Sequence, residues 1–476
     1  MPTPVPVRIA VPEAARAAVA YALAELLRGL GLEAVDAGAE RARIVVGGDQ
    51  ARAGADALHL AAAPERLAAL LASRGPLAAD AGGWVEADGV GVPAPLAAAS
   101  GEADVAGSAF LWLARYAEHA RGAPRDAHGR ATFAASWQAA HGLAAVPVVD
   151  VLREALAARL RDHPATSGLP IAHPTYGAAS DGSGAAAWAL CPTCDIDALR
   201  KWRAGIVRRD VLRAAHERRP GLAGAAAAGW IASHLARRDP MLVGIDRVAA
   251  AAERVGGTAT FFVKAAAPTV YDTPYRLASS AFRRVRARIA AHEIGLHPSY
   301  ASVSSVERLL VERARLERAV SSATGRPVTS VRQHYLRHDG PPTLRAHADA
   351  GFALDATLGW AEHEGFRCAT THPHRLFDLD ANAATGVWEL PLALMDATFA
   401  GYRALPPEAI AASTAILLAA AQRYRGVVVG LWHNTVGDEA DAPGAAAHLD
   451  ATLDAAAGQG ARIGGVEAVL AAYRGA

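Results

Sequence analysis

Trp188-Ala189-Leu190-Cys191-Pro192-Thr193-Cys194-Asp195-Ile196-Asp197 is the stretch on which the fold turns. A short run of apolar and small residues delivers two carboxylates, one residue apart, at its end. From residue 187 onward the same grammar repeats. The composition predicts strands at 188–195, 258–263, 293–297, 328–335, 351–357, 388–391 and 427–433. Helical patterns fill the intervals, at 242–255, 275–291, 304–323, 343–350, 408–425 and 445–456. Strands alternating with helices at this spacing imply a parallel sheet, open or closed into a barrel. In such folds the functional side chains sit at the C-terminal ends of the strands.

Upstream the pattern differs. Residues 1 to about 75 alternate short strands and helices: a strand at 7–11, a helix at 13–30, a strand at 42–46 bounded by Gly47-Gly48, and a helix at 64–72. Further helices are expected at 109–120 and 149–160, and residues 162–186 are rich in Pro, Gly and Ser. The expected organisation is a smaller α/β domain over 1–160, a connection over 161–186, and a large α/β unit over 187–476. A chain of 476 residues is too long for one ordinary core.

The bulk properties exclude some classes. There are 48 basic and 47 acidic residues, a net charge of +1, so no global field favours nucleic acid or an anionic membrane. Arg208, Arg209, Arg213, Arg218 and Arg219 are dense but interspersed with acidic and apolar residues, and read as a solvated helix face. No run approaches the roughly 20 apolar residues that span a bilayer. The first residues lack the pattern of a signal peptide, so a cytoplasmic protein is expected. Three cysteines, Cys191, Cys194 and Cys368, do not make a disulfide framework. Cys191-Pro192-Thr193-Cys194 runs along a strand rather than opening a helix, which favours an incidental pair over a redox centre. His372-Pro373-His374 reads as a polar loop, and His128 and Arg130 as loop residues with local hydrogen bonds.

The strand ends carry a consistent set: Asp195 and Asp197, then His297, Arg332 with His334, Asp355, and His433. Acids, histidines and an arginine on one rim are the ingredients of metal-assisted hydrolysis. In an Asp-x-Asp pair one carboxylate can bind a metal while the other takes a proton from water, and a distant histidine can protonate the leaving group.

Taken in order, several motifs resemble the polysaccharide deacetylases of the NodB-homology type over residues 187–476. They are Thr193-Cys194-Asp195-x-Asp197, Ala259-Thr260-Phe261-Phe262-Val263, His292 to His297, Arg332 to Tyr335, and Leu431-Trp432-His433. Phe110 to Ala120, Asp126-Ala127-His128-Gly129-Arg130, Pro147-Val148-Val149-Asp150, the run from Gly351 to Gly359 and that from Glu389 to Thr398 are similar to a bacterial branch with its own N-terminal domain. The resemblance implies a distorted (β/α)7-type barrel, a divalent metal, usually zinc, and hydrolysis of an N- or O-acetyl group on a carbohydrate. It implies Asp195 as general base, Asp197 and His297 as metal ligands, Arg332 orienting the base together with Asp355, and His433 as general acid.

One position departs from that pattern. Four residues after His297, where the family carries another histidine, stands Ala301, which cannot bind a metal. Side chains alternate along a strand, so if Arg332 faces the site His334 faces it too. His334 is therefore the expected third ligand or, on the alternative reading, a residue hydrogen-bonded to a neighbouring carboxylate, with His292 a weaker candidate and Asp396 a further site residue. The alternative is a barrel of the same ancestry that has lost catalysis and serves as a binding or scaffold module.

Overall fold

The computed structural model describes residues 2–38, 41–48, 56–202, 204–217, 220–231, 239–273 and 275–475. Arg218 and Arg219 of the expected basic helix face lie outside them. The N-terminal part opens with a parallel sheet, β1 (Thr3–Ile9), β2 (Leu32–Asp36), β3 (Ile44–Val46) and β4 (Leu58–Leu60), in the order β2-β1-β3-β4. Helix Glu13–Arg28 packs its Ala18, Val19, Ala22, Leu23 and Leu26 stripe into this core. A small antiparallel ribbon, β5 (Trp84–Ala87) and β6 (Val90–Pro93), follows. Helix Val105–Leu113 starts where the Asp104 carboxylate accepts from Gly107 N–H at 2.7 Å.

The C-terminal part is built on one curled, mainly parallel sheet. Its strands are β7 (Ala189–Ile196), β8 (Thr260–Lys264), β9 (Glu293–His297), β10 (Ser330–Val331), β11 (Leu354–Asp355), β12 (His374–Asp378), β13 (Ala383–Glu389), β14 (Leu392–Met395), β15 (Val427–Leu431) and β16 (Arg462–Ile463). The order is β12-β13-β11-β10-β9-β8-β7-β15-β14, with β16 also on β7. β13 and β14 are separated only by Leu390 and Pro391, yet β13 pairs with β11 and β14 with β15 at opposite ends of the path. One run of chain thus serves both ends of the curled sheet. β7, β8, β9 and β15 are buried along their whole length, as strands covered on both faces must be. Phe261 and Val263 point to the helical layer, while Phe262 packs inside with Val429, Leu431 and Leu390.

Two expected strands are shorter than the apolar pattern suggests. The run expected at 328–335 keeps strand pairing only at Ser330–Val331, because the Gln333 N–H turns to the Thr357 hydroxyl at 3.0 Å. Residues 334–336 then form a tight turn, with Tyr335 at φ 62° and Leu336 at φ 53°. The run at 351–357 likewise narrows to Leu354–Asp355. His372-Pro373-His374 is not an exposed polar loop: both histidines are buried, His372 Nε2 pairs with the Tyr424 carbonyl at 2.8 Å, and His374 opens β12. Burial holds their imidazoles neutral, at about 3 and about 4.

The two parts are welded together. Ala369, Phe377, Leu379 and Tyr424 belong to the same apolar cluster as the N-terminal helices. Asp150 accepts from the Thr371 N–H at 2.8 Å and from the Thr370 hydroxyl at 2.7 Å. Arg367 forks onto Glu118, Nε at 2.9 Å and Nη2 at 2.8 Å. The connecting segment is also packed, with Tyr176 buried, stacked on Tyr473, its hydroxyl donating to the Arg425 carbonyl at 3.1 Å. No helix among the described residues is long and apolar enough to cross a membrane.

Burial raises the Glu118 pKa, but Arg367 and Arg115 outweigh it and hold the group at about 2. The pair therefore contributes stability above the ordinary value of 4.5, and that contribution is lost as pH falls toward 2. Glu118→Ala leaves a buried guanidinium without its partner and is expected to cost about 3–5 kcal/mol. Denaturant melts at pH 7 and pH 3 check this: the gap between wild type and variant should narrow at the lower pH.

Candidate metal centre and acid–base pair

The C-terminal ends of β7, β9, β14 and β15 and the turn after β10 converge on one pocket of about 200 Å³. Asp195, Asp197, His297, His334 and His433 line it. Asp197, His297 and His334 each bring one ligand atom to within 4.8 Å of the others. The two imidazole Nε2 atoms both lie 3.4 Å from Asp197 Oδ1.

The protons of these imidazoles are committed elsewhere. His297 Nδ1 sits 2.7 Å from the Arg332 carbonyl, which only accepts, so Nδ1 carries the proton. His334 Nδ1 donates likewise to Asp272 Oδ1 at 2.8 Å. In the neutral tautomers both Nε2 lone pairs then face Asp197 Oδ1, a buried oxygen that accepts no hydrogen bond. Lone pairs from two nitrogens and a carboxylate facing one another call for a cation between them. Ligands about 2.0–2.1 Å from a tetrahedral ion lie about 3.3–3.4 Å apart, and the observed separations match. The partners behind the imidazoles are those a metal-bound histidine needs. The residues present therefore fit a divalent ion of zinc type.

Burial would raise the Asp197 pKa, but the neighbouring imidazoles of His297 and His334 drive it well below the carboxylate range. Burial would lower that of His334, but the carboxylates of Asp197 and Asp272 raise it above the ordinary value. Both shifts belong to protonated imidazoles beside carboxylates, a positive charge that a bound cation would replace.

Around the triad, Asp195 is buried and held by Arg332 Nη1 at 3.2 Å. Arg332 is itself fully buried, its Nε donating to the Ala356 carbonyl at 2.9 Å, its Nη1 to the Thr193 hydroxyl at 2.6 Å, and its plane over Phe262. Across the pocket, Asp396 accepts from both the His433 N–H at 2.8 Å and Nδ1 at 2.7 Å, which leaves Nε2 of that ring for chemistry. Burial lowers the His433 pKa, yet Asp396, together with the Asp197 and Asp195 carboxylates, more than reverses this and holds it at about 10.

Asp355 does not join Arg332. It is fully buried behind the turn, where it accepts from His347 Nδ1 and the Thr357 N–H, both at 2.9 Å. Its carboxylate anchors Thr357, which receives the Gln333 N–H, so it supports the turn rather than the pocket. His292 stands apart too, between the Ala259 N–H and Glu253. Ala301 lies exposed in the short turn Tyr300–Ser302. His334 reaches the site from the turn at 334–336 and not by strand alternation.

Three residues near the site were not anticipated. Lys264 ends β8 and is buried, with Nζ 3.7 Å from Asp197 Oδ1; reading one residue further along the Ala-Thr-Phe-Phe-Val run finds it. Asp272 sits in a segment without periodic pattern. Arg130, from the N-terminal part, lines the pocket beside Tyr335 and Tyr402. A larger, apolar cleft of about 560 Å³ lies between helices Pro407–Tyr424 and Ala445–Gly458, with several alanines in its wall, and shares Asp396 with this region.

Comparison with known proteins gives limited matches. The model of a family of unknown function, DUF7033, matches residues 85–164. No curated protein matches. Among solved structures, the chain is similar to a putative polysaccharide deacetylase from Mycobacterium smegmatis, at 19% identity and TM-score 0.39, over 64% of this chain and 96% of that one. It is similar to a CE4 family pseudoenzyme from Bacillus anthracis at 12% identity and TM-score 0.28, over 59% and 67% of the two chains. A polysaccharide deacetylase from Bacillus cereus shows 12% identity and TM-score 0.29, over 58% and 91%.

Because Asp396 is the main group raising the His433 pKa, Asp396→Asn is expected to lower it well below about 10. NMR titration of the His433 ring checks this. A ring still protonated at pH 9 in the variant contradicts the assignment.

Proposed function

We propose that the chain is a metal-dependent carbohydrate deacetylase, a hydrolase that removes an N- or O-linked acetyl group from a sugar. The observation that supports it is the convergence of three electron-pair donors on one point, between an arginine-held carboxylate and a carboxylate-held imidazole. Asp197, His297 and His334 are the ligands, and the ion, zinc by its donor set, supplies polarisation of the acetyl carbonyl and acidification of water. Asp195 accepts the proton of the attacking water, with Arg332 fixing the carboxylate that faces the pocket. His433 Nε2 donates a proton to the departing nitrogen or oxygen, its ring pinned through Nδ1 by Asp396. The curled sheet is read as a distorted seven-stranded barrel in which β13 and β14 act as one strand. Tyr335 and Tyr402, which line the pocket, would contact the sugar.

A second reading has one observation behind it. The Lys264 ammonium, 3.7 Å from Asp197 Oδ1, supplies positive charge where the ion would sit. On that reading the barrel holds no metal and is a binding module without hydrolysis.

Metal content by mass spectrometry and acetate release from acetylated oligosaccharides separate the two. The wild type should carry about one ion per chain, lost in Asp197→Ala and in His334→Ala. Asp195→Asn should keep the ion and lose about 10²–10⁴-fold in rate. A wild type that takes up no ion from zinc, cobalt or nickel solutions, and releases no acetate, establishes the second reading.

A further inference from the structure

Residues 126–130 belong to the N-terminal part, yet they grip the turn that carries His334. Arg130 Nη1 donates to the Tyr335 carbonyl at 2.8 Å, and its Nε to Asp126 Oδ2 at 2.7 Å. Asp126 Oδ1 accepts from the backbone N–H groups of His128 and Arg130, both at 2.9 Å, so the loop that aims the arginine is itself tied. The His128 ring lies against the Tyr335 ring, centroids 4.7 Å apart, and the His128 carbonyl accepts from Arg337 Nε at 3.1 Å.

The gripped turn needs holding. Tyr335 and Leu336 are consecutive non-glycine residues in the left-handed region, which such residues occupy only when their surroundings impose it. The Tyr335 carbonyl belongs to the peptide between those two residues, and Arg130 is its donor. On the barrel side the turn has the Leu336 N–H to the Gln333 carbonyl at 3.0 Å and the Asp272 contact on the His334 ring. A planar guanidinium can meet a carboxylate and a carbonyl at once, which a lysine ammonium cannot do with the same geometry.

The geometry points to Arg130 as a positioning residue for the metal centre: the N-terminal part clamps the strained turn through the Tyr335 carbonyl and so fixes His334 against Asp197. This rests on the reading of Asp197, His297 and His334 as ligands. It gives the N-terminal part a task, that of completing a site whose ligands all lie in the barrel.

Zinc affinity of the full chain, measured by competition with a chromophoric chelator, tests it. Arg130→Gln is expected to weaken zinc binding by about ten- to a hundredfold, the range for groups that orient metal ligands. Arg130→Lys should fall between it and wild type, and His334→Ala sets the full loss. The visible spectrum of the cobalt-loaded Arg130→Gln protein should shift, which a general loss of stability would not produce. Affinity within about twofold of wild type in Arg130→Gln, with an unchanged cobalt spectrum, overturns the inference while the metal centre stands. A wild type that binds no zinc overturns the deacetylase reading and this inference with it. If Arg130→Gln does not fold, Asp126→Asn, which frees the arginine without touching the pocket, decides on the same scale.

Discussion

Two histidines whose Nδ1 protons are already spent govern this structure. The Arg332 carbonyl takes one and Asp272 takes the other. What remains are two Nε2 lone pairs aimed at a buried carboxylate oxygen. Such an arrangement is costly unless positive charge fills it, by a proton, by a metal ion, or in part by the Lys264 ammonium. The rest of the architecture serves that junction. β7 carries Asp195 and ends just before Asp197, β9 ends at His297, and the broken end of β10 swings His334 in from the side.

The breaking of β10 is the local event that makes this third donor available. Side-chain acceptors replace ladder partners there: Thr357 takes the Gln333 N–H, and Asp355, with His347 behind it, holds Thr357. A fully paired strand would keep His334 in the sheet. The buried polar groups behind the turn therefore trade strand length for a ligand, and Asp355, His347 and Thr357 are bonded to one another there. The N-terminal part presses on the same turn from outside, and its core runs into that of the barrel through Phe377 and Leu379.

Much of this was legible in the sequence. Parallel strands buried on both faces write themselves as short apolar runs, so 293–297 is met residue for residue and 189–196, 260–264 and 427–431 nearly so. The strand-end residues Asp195, Asp197, His297 and His433 line one pocket, with Arg332 bonded behind Asp195. His334 lines the same pocket, but from a turn, so alternation along a continuous strand does not explain its position. Asp355 shows the limit of strand-end reasoning: the same position can serve a buried hydrogen-bond network as readily as a rim. Asp272 and Arg130 were hidden because their partners lie 62 and 205 positions away, and contacts of that range leave no periodic signal. The weld between the two parts was invisible for the same reason: the Pro, Gly and Ser of 162–186 look like a free connection, while Tyr176 within it is buried.

The most direct test is diffraction from crystals soaked in zinc, with anomalous differences collected at the zinc edge. The account predicts one peak about 2.0–2.2 Å from an Asp197 oxygen and from Nε2 of both His297 and His334. A map without that peak, in which Lys264 Nζ closes on Asp197 to hydrogen-bonding distance, would contradict it.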